Sequence, residues 1–299
     1  MLEHAGPELV EGFNRTYFMT DFVFIDSGIG GIPYMTSLLK RKPDVSCVYI
    51  ADSANFPYGE KTHEQVVDCV NPLVKKVCDK FCPSVIILAC NTISVNALEQ
   101  LRLLYPKQQF VGTVPAIKLA SSVSKKRRIG LLATNATVAN PYNDYLMKSF
   151  ASDCTLINRG DAKLIDFIEK KSLTATHSEI LDSVRPAVKY FRENDCDVII
   201  LGCTHFLNIK DEIKEACAPD IEVVDSVDGV VRHALDVLGT GVLGAEPLGE
   251  GVAEDLEKGC SQGETSPSLF ITGTLDESGR QQYDALCSKY GISFKGMFE

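Results

Sequence analysis

Two stretches of this chain share one pattern, Ser84-Val85-Ile86-Ile87-Leu88-Ala89-Cys90-Asn91-Thr92 and Asp197-Val198-Ile199-Ile200-Leu201-Gly202-Cys203-Thr204-His205. In each, four apolar residues and one small residue precede a cysteine, and polar residues follow it. A short apolar run of this kind is typical of a strand buried on both faces of a parallel sheet. We therefore predict that each cysteine lies at the carboxyl end of an interior strand, beside the start of a helix.

A thiol in that position lies where α/β proteins bind their ligands, and a nearby helix N-terminus stabilises its thiolate form. The pattern occurs once in each half of the chain, and a strand ending in a polar residue, Asp26 or Thr134, precedes each cysteine by a similar distance. This is a degenerate internal repeat. It predicts that Cys90 and Cys203 face each other across a cleft between two similar domains.

Apolar runs alternate with segments of helical period along most of the chain, which is typical of parallel βα units. The predicted strands are Phe22–Asp26, Ser46–Ala51, Val85–Ala89, Phe110–Val114, Arg128–Ala133, Thr155–Asn158, Val198–Gly202, Glu222–Asp225 and Leu269–Thr272. The fold class expected is α/β, with two flavodoxin-like domains related by pseudo-two-fold symmetry and the active site in the interdomain cleft.

The same pattern predicts the domain boundaries. Residues 1–20 are an N-terminal extension, residues 21–115 and 227–299 form the first domain with Cys90, and residues 116–226 form the second with Cys203. A loose, polar segment at 239–267 is expected to contribute little to the core and to be mobile. The last strand and helix are expected to return to the first domain.

The composition excludes several classes of protein. A net charge of −10 argues against a nucleic-acid surface, and no apolar run is long enough to span a membrane. The first twenty residues do not resemble a signal peptide. Eleven cysteines without framework spacing argue against disulfide stapling, so a reducing, cytoplasmic location is expected.

Two opposed thiols allow several kinds of chemistry. A redox pair normally has Cys-x-x-Cys spacing, which Cys90 and Cys203 lack. A zinc site needs three or four ligands, and Cys90, Cys203 and His205 offer at most three. An acid/base pair on opposite faces of a substrate, which inverts a stereocentre in either direction, fits the symmetry best. A metal site and a purely structural role for two buried cysteines remain alternatives.

Other polar residues are expected beside the thiols. Glycines in Asp26-Ser27-Gly28-Ile29-Gly30-Gly31 allow backbone N–H groups to point at an anion such as a carboxylate. Asp26 either caps a helix or binds an ammonium group or a thiol, and His205 either tunes Cys203 or is structural. The candidate substrate-binding residues are Asp26, Ser27, Pro57, Tyr58, Gly59, Asn91, Thr92, Thr134, Thr137, Thr204 and His205.

With these residues in view, the chain from Asp21 onward resembles the glutamate racemases of the aspartate/glutamate racemase superfamily. The matching motifs, in order, are Asp26-Ser27-Gly28-Ile29-Gly30-Gly31, Pro57-Tyr58-Gly59-Glu60-Lys61, Ala89-Cys90-Asn91-Thr92, Val114-Pro115-Ala116-Ile117 and Gly202-Cys203-Thr204-His205. The chain departs from the common family pattern at Leu207, where proline is frequent. It also departs at Ala51-Asp52-Ser53-Ala54-Asn55, where Gly-Asp-Thr-Ala-Arg is common.

The resemblance implies interconversion of L- and D-glutamate without a cofactor or metal, supplying D-glutamate for peptidoglycan and so for cell-wall biogenesis and cell shape. It implies that Cys90 and Cys203 are the paired acid and base and that Asp26 and His205 assist them. Asp52 and Glu169 match further acidic residues of the family, and a homodimer is expected. An aspartate racemase is one rival hypothesis, and a non-catalytic amino-acid sensor is another; a flavodoxin-like nucleotide binder lacks its phosphate loop.

Overall fold

A computed structural model describes residues 17–239, 260–262 and 266–298. In these ranges the strands are β1 (Tyr17–Asp26), β2 (Cys47–Ala51), β3 (Pro83–Leu88), β4 (Gln109–Gly112), β5 (Arg128–Ala133), β6 (Thr155–Gly160), β7 (Val198–Leu201), β8 (Glu222–Val224), β9 (Cys260–Gln262), β10 (Ser268–Ile271) and β11 (Ser293–Met297).

The α-helices of the same ranges are α1 (Ile32–Arg41), α2 (His63–Phe81), α3 (Asn91–Leu104), α4 (Ile117–Val123), α5 (Asn135–Val138), α6 (Tyr142–Phe150), α7 (Ala162–Lys171), α8 (His177–Glu193), α9 (Lys210–Cys217), α10 (Val227–Gly239) and α11 (Glu277–Tyr290). Three short 3₁₀ helices span Ser53–Asn55, Tyr58–Glu60 and Thr204–Ile209.

The strands form two parallel sheets with the same internal order. The larger sheet runs β11-β10-β2-β1-β3-β4, with β9 also pairing with β1, and the smaller runs β6-β5-β7-β8. Numbered within each half, both contain the order 2-1-3-4, which is the doubly wound order of flavodoxin-like domains. The predicted fold class is confirmed, and the repeat seen in the sequence corresponds to a repeat of topology.

The apolar runs form central strands because helices cover both faces of each sheet. Phe22 to Ile25 in β1 and Ile86 to Leu88 in β3 have no exposed surface. The strand order reverses between β1 and β3, and again between β5 and β7, which is where such sheets bind ligands. Cys90 and Cys203 therefore follow equivalent strands at equivalent switch points.

The structure differs from the predicted elements in a few places. Strand β1 begins at Tyr17, so residues 17–20 of the predicted extension belong to the sheet. Strand β9 lies inside the segment predicted to be loose, and β11 was not predicted. Residues 1–16, 240–259, 263–265 and 299 lie outside the described ranges, and the mobility predicted for the loose segment falls largely on residues 240–259 and 263–265. The exact domain boundaries stay a prediction, although β10 pairs with β2 of the larger sheet.

Candidate active site

Cys90 lies between β3 and α3, as the N-cap residue of that helix. Its side chain is 5% exposed, and its Sγ lies 4.0 Å from the hydroxyl of Ser27, in the loop after β1. Burial, followed by the charge of Asp26, raises the pKa of the Cys90 thiol well above its ordinary value. Burial of Cys90 thus opposes the thiolate form, which the N-terminus of α3 favours.

Cys203 occupies the equivalent position after β7 and is equally buried, at 5% exposed. The helix predicted after it begins as a short 3₁₀ helix, Thr204–Ile209, which runs directly into α9. The Sγ of Cys203 lies 3.6 Å from Nδ1 of His205. On the other side of the imidazole, Nε2 lies 2.7 Å from Oε2 of Glu169, on α7. Cys203 thus ends a buried chain of thiol, imidazole and carboxylate.

The charge state of His205 distinguishes the two thiols. Burial lowers the pKa of His205, but its contacts with Cys203 and Glu169 outweigh burial and raise that pKa well above the ordinary histidine value. A protonated imidazole next to a thiol favours the thiolate. The two thiols therefore have different neighbours: Cys203 adjoins the imidazole of His205, whereas Cys90 adjoins the hydroxyl of Ser27.

Asp26 lies behind the cavity wall rather than in it. It has no exposed surface, and its carboxylate accepts hydrogen bonds from Ser27 N–H (2.6 Å), the Tyr49 hydroxyl (3.1 Å) and the Thr204 hydroxyl (3.1 Å). The bond from Thr204 joins the two domains. Burial is the main cause of a raised pKa at Asp26, and the charge on His205 opposes it.

This environment makes Asp26 a source of instability. A raised carboxyl pKa contributes stability below its unfolded value, and that contribution is lost as the pH rises through the folded value. At neutral pH the ionised carboxylate is therefore unfavourable. We expect Asp26→Asn to increase the free energy of unfolding by about 1 kcal/mol at pH 7.

Urea unfolding of both proteins at several pH values measures this effect. The gain from Asp26→Asn should shrink as the pH falls toward 3.8, the ordinary carboxyl value. A variant that is less stable than the natural protein at every pH would contradict this account.

Hydroxyl groups from both domains meet on another wall. The Thr92 hydroxyl lies 2.9 Å from that of Thr134, which is 2.9 Å from that of Thr137. Gly59 packs against Thr134, and a Cβ added to Gly59 would lie 2.7 Å from the Thr134 Cβ. The domains are thus in close contact around the thiols, and the cleft is nearly closed.

Asn91 has a buried amide with no hydrogen-bond partner in the described residues. Its side chain is 2% exposed, and neither Nδ2 nor Oδ1 is paired. Leaving such a group unpaired is unfavourable, so an orphan amide in a cavity wall is suited to a polar ligand. Asn91 also begins α3, where the positive end of the helix favours an anion.

One cavity gathers most of the residues predicted from the sequence. Its predicted lining residues are Ser27, Pro57, Tyr58, Gly59, Cys90, Asn91, Thr92, Thr134, Cys203 and His205. Three predicted residues do not line it. Asp26 and Thr137 hydrogen-bond to the lining residues Ser27 and Thr134, and the Thr204 hydroxyl donates to Asp26 behind the wall. The lining residues that were not predicted are Phe56, Glu60, Asn135, Ala162, Ile165 and Asp166.

Three further features of the described residues concern a metal site, the cysteines and membrane spans. In the ranges that the structure covers, no group of three or more His, Cys, Asp or Glu residues is arranged to hold a metal ion. Cys90 and Cys203 are both free thiols, as are the buried cysteines Cys47, Cys196, Cys217 and Cys287. No described helix combines the length and apolar character needed to cross a membrane.

Comparisons with known proteins agree over most of the chain. Residues 34–234 match the family model for Asp/Glu/hydantoin racemases. The chain is 40% identical over 278 residues to the glutamate racemase of Treponema pallidum (strain Nichols), covering 93% of this chain and 96% of that protein. Glutamate racemase of Escherichia coli, solved with L-glutamate and the activator UDP-MurNAc-ala, superposes with a TM-score of 0.76 at 25% identity, covering 93% of this chain and 98% of that one. The likeness therefore extends over most of the length of both chains.

Proposed function

The chain belongs to the Asp/Glu/hydantoin racemase family, and we propose that it interconverts L- and D-glutamate with Cys90 and Cys203 as its acid and base. The observation that carries this proposal is the equivalent placement of the two thiols. Each follows the same strand of a repeated topology, each is 5% exposed, and both line one cavity between the domains.

The proton transfers balance without any other redox or acid/base group. The Cys203 thiolate removes the α-proton of glutamate, and the Cys90 thiol delivers its proton to the opposite face of the resulting carbanion. Cys203 is then a thiol and Cys90 a thiolate, which is the state required for the reverse reaction. The raised pKa of Cys90 favours its return to the thiol, and the starting state is regained when Cys90 takes up one proton and Cys203 releases one.

Stabilisation of the carbanion is the demanding part of the reaction. Charge from the α-carbon spreads onto the α-carboxylate, and fixed donors around that group lower the barrier. The unpaired Asn91 amide and the backbone at Tyr58 and Gly59 are suited to the two carboxylates of glutamate. Burial of the site excludes water and strengthens these interactions.

The test is conversion of D-glutamate, and separately of D-aspartate, in deuterated buffer with no added cofactor, followed by circular dichroism and mass spectrometry. We expect optical activity to disappear for glutamate, with one deuterium incorporated at the α-carbon of the product. Turnover of aspartate alone would change the substrate assignment. Binding of glutamate without turnover would favour the sensor hypothesis and contradict this proposal.

The physiological part of the proposal follows from the family. D-glutamate produced by this chain is proposed to enter peptidoglycan, in a cytoplasmic setting. The expected homodimer also remains a proposal, and sedimentation equilibrium of the purified chain tests it directly.

A further inference from the structure

Thr272, immediately after β10, lies against the loop that carries Tyr58 and Gly59 into the cavity. We infer that Thr272 is a positioning residue for substrate binding. It holds this loop in the position in which Tyr58 and Gly59 contact the substrate. The inference rests on the proposed function, because the loop matters only if the cavity binds glutamate. Thr272 does not line the cavity itself.

Three hydrogen bonds join Thr272 to the beginning of the loop. Its hydroxyl donates to Asp52 Oδ1 at 2.5 Å and accepts the N–H of Ala54 at 3.1 Å. Its carbonyl oxygen accepts from the hydroxyl of Ser53. The next residue, Gly273, has a φ of +79° and packs under Ala54, where an added Cβ would lie 3.1 Å from the Ala54 Cβ. A single strand end thus contacts three successive loop residues.

Asp52 passes this constraint on to the cavity. It is 1% exposed, and the ion pairs found in the described residues do not include it. Three side chains donate hydrogen bonds to its carboxyl group: the Thr272 hydroxyl to Oδ1, the Tyr58 hydroxyl to Oδ2 (2.5 Å), and Asn55 Nδ2 to both Oδ2 (3.0 Å) and Oδ1 (3.2 Å). Removing one of the few donors to a buried carboxylate leaves it poorly solvated, so the carboxylate and its other donors must shift.

Tyr58 connects the carboxylate to the reacting groups. Its ring belongs to the same buried apolar cluster as Cys90, and its hydroxyl is fixed by Asp52. The adjacent Gly59 packs against Thr134 of the second domain. A loop that loses its anchor at Thr272 therefore loses both a cavity wall and a contact that closes the domains around the substrate.

A pair of variants isolates the hydroxyl. Thr272→Val keeps the shape of the side chain and removes the donor and the acceptor, whereas Thr272→Ser keeps both. We expect Thr272→Val to raise KM for D- and L-glutamate on the order of tenfold, the size set by one buried hydrogen bond to a charged group, with a much smaller change in kcat. Thr272→Ser should retain KM close to that of the natural protein.

A second measurement is independent of turnover. Amide hydrogen exchange of residues 53–60 should be faster in Thr272→Val than in Thr272→Ser, with Thr174→Val, at an exposed threonine, as a control for the substitution. Equal KM and equal exchange in the two Thr272 variants would overturn the inference. So would a Thr272→Val variant that loses kcat and thermal stability with KM unchanged. A natural protein inactive on glutamate would overturn the proposed function instead, while the exchange data would still test the loop anchor.

Discussion

Racemisation of glutamate is expected to fall on the order of 10⁴-fold when either Cys90 or Cys203 is replaced by alanine. Inversion requires a proton to leave one face of the α-carbon and another to arrive on the opposite face. With one thiol missing, one face of the α-carbon loses the group that removes or delivers its proton. The measurement is the rate of change of the circular-dichroism signal from each enantiomer.

Cys47→Ala is the matched control for this prediction. Cys47 is also a buried strand cysteine, 1% exposed in β2, but it does not line the cavity. Its replacement should lower stability through the lost packing and leave racemisation near that of the natural protein. A double Cys90→Ala, Cys203→Ala variant with substantial activity would disprove the two-thiol mechanism, whatever the result for either single variant.

The two thiol sites could be predicted from sequence because their signal is local. An apolar run of four, a small residue and a cysteine specify a buried strand and the position of its carboxyl end. Since two strands carry the same pattern, the pseudo-symmetry of the two domains could also be predicted. The 2-1-3-4 order of both sheets is the flavodoxin-like order, one of the common orders of doubly wound sheets.

The rest of the site depends on contacts that sequence spacing does not encode. Glu169 lies 36 residues before His205, on an amphipathic helix, and only the family resemblance pointed to it. Thr272 is more than 200 residues from Asp52 in sequence and reaches it because β10 pairs with β2. Strand β9 is three residues long and lies in a polar segment, so no periodicity could indicate it.

The role of His205 could not be predicted from its position in the sequence alone. A histidine two positions after a cysteine has an open role in the sequence. The structure adds a carboxylate on one side and a thiol on the other, and these contacts raise the histidine pKa despite its burial. The difference between the two cysteine sites, which the symmetric sequence pattern conceals, therefore comes from Glu169 and His205.

Replacement of His205 by asparagine is expected to lower kcat/KM on the order of 10³-fold, because the Cys203 thiolate loses its cationic partner. The loss must be equal for the two enantiomers. Enantiomers have equal free energy in water, so the equilibrium constant is one and the two kcat/KM values must stay equal in every variant. Any asymmetry between the directions appears only in kcat and KM separately.

The pH dependence and the thiol reactivity separate this role from a structural one. Because its pKa lies above the ordinary histidine pKa of 6.5, His205 stays protonated above pH 6.5. The positive charge beside Cys203 is lost as the pH rises through the raised pKa of His205. We expect the natural protein to stay active well above pH 6.5. Iodoacetamide should alkylate Cys203 faster than the equally buried Cys90, as measured by peptide mass spectrometry, and His205→Asn should abolish this difference.

Glu169→Gln is expected to behave between the natural protein and His205→Asn. The glutamine carbonyl can still accept the hydrogen bond from His205, but the negative charge that helps to raise the histidine pKa is removed. The variant should therefore lose activity at a lower pH than the natural protein does, with a smaller loss of kcat/KM than His205→Asn at neutral pH. Equal alkylation of the two cysteines in the natural protein would contradict the assignment of Cys203 as the initial base, since it would mean that the imidazolium does not activate its neighbour.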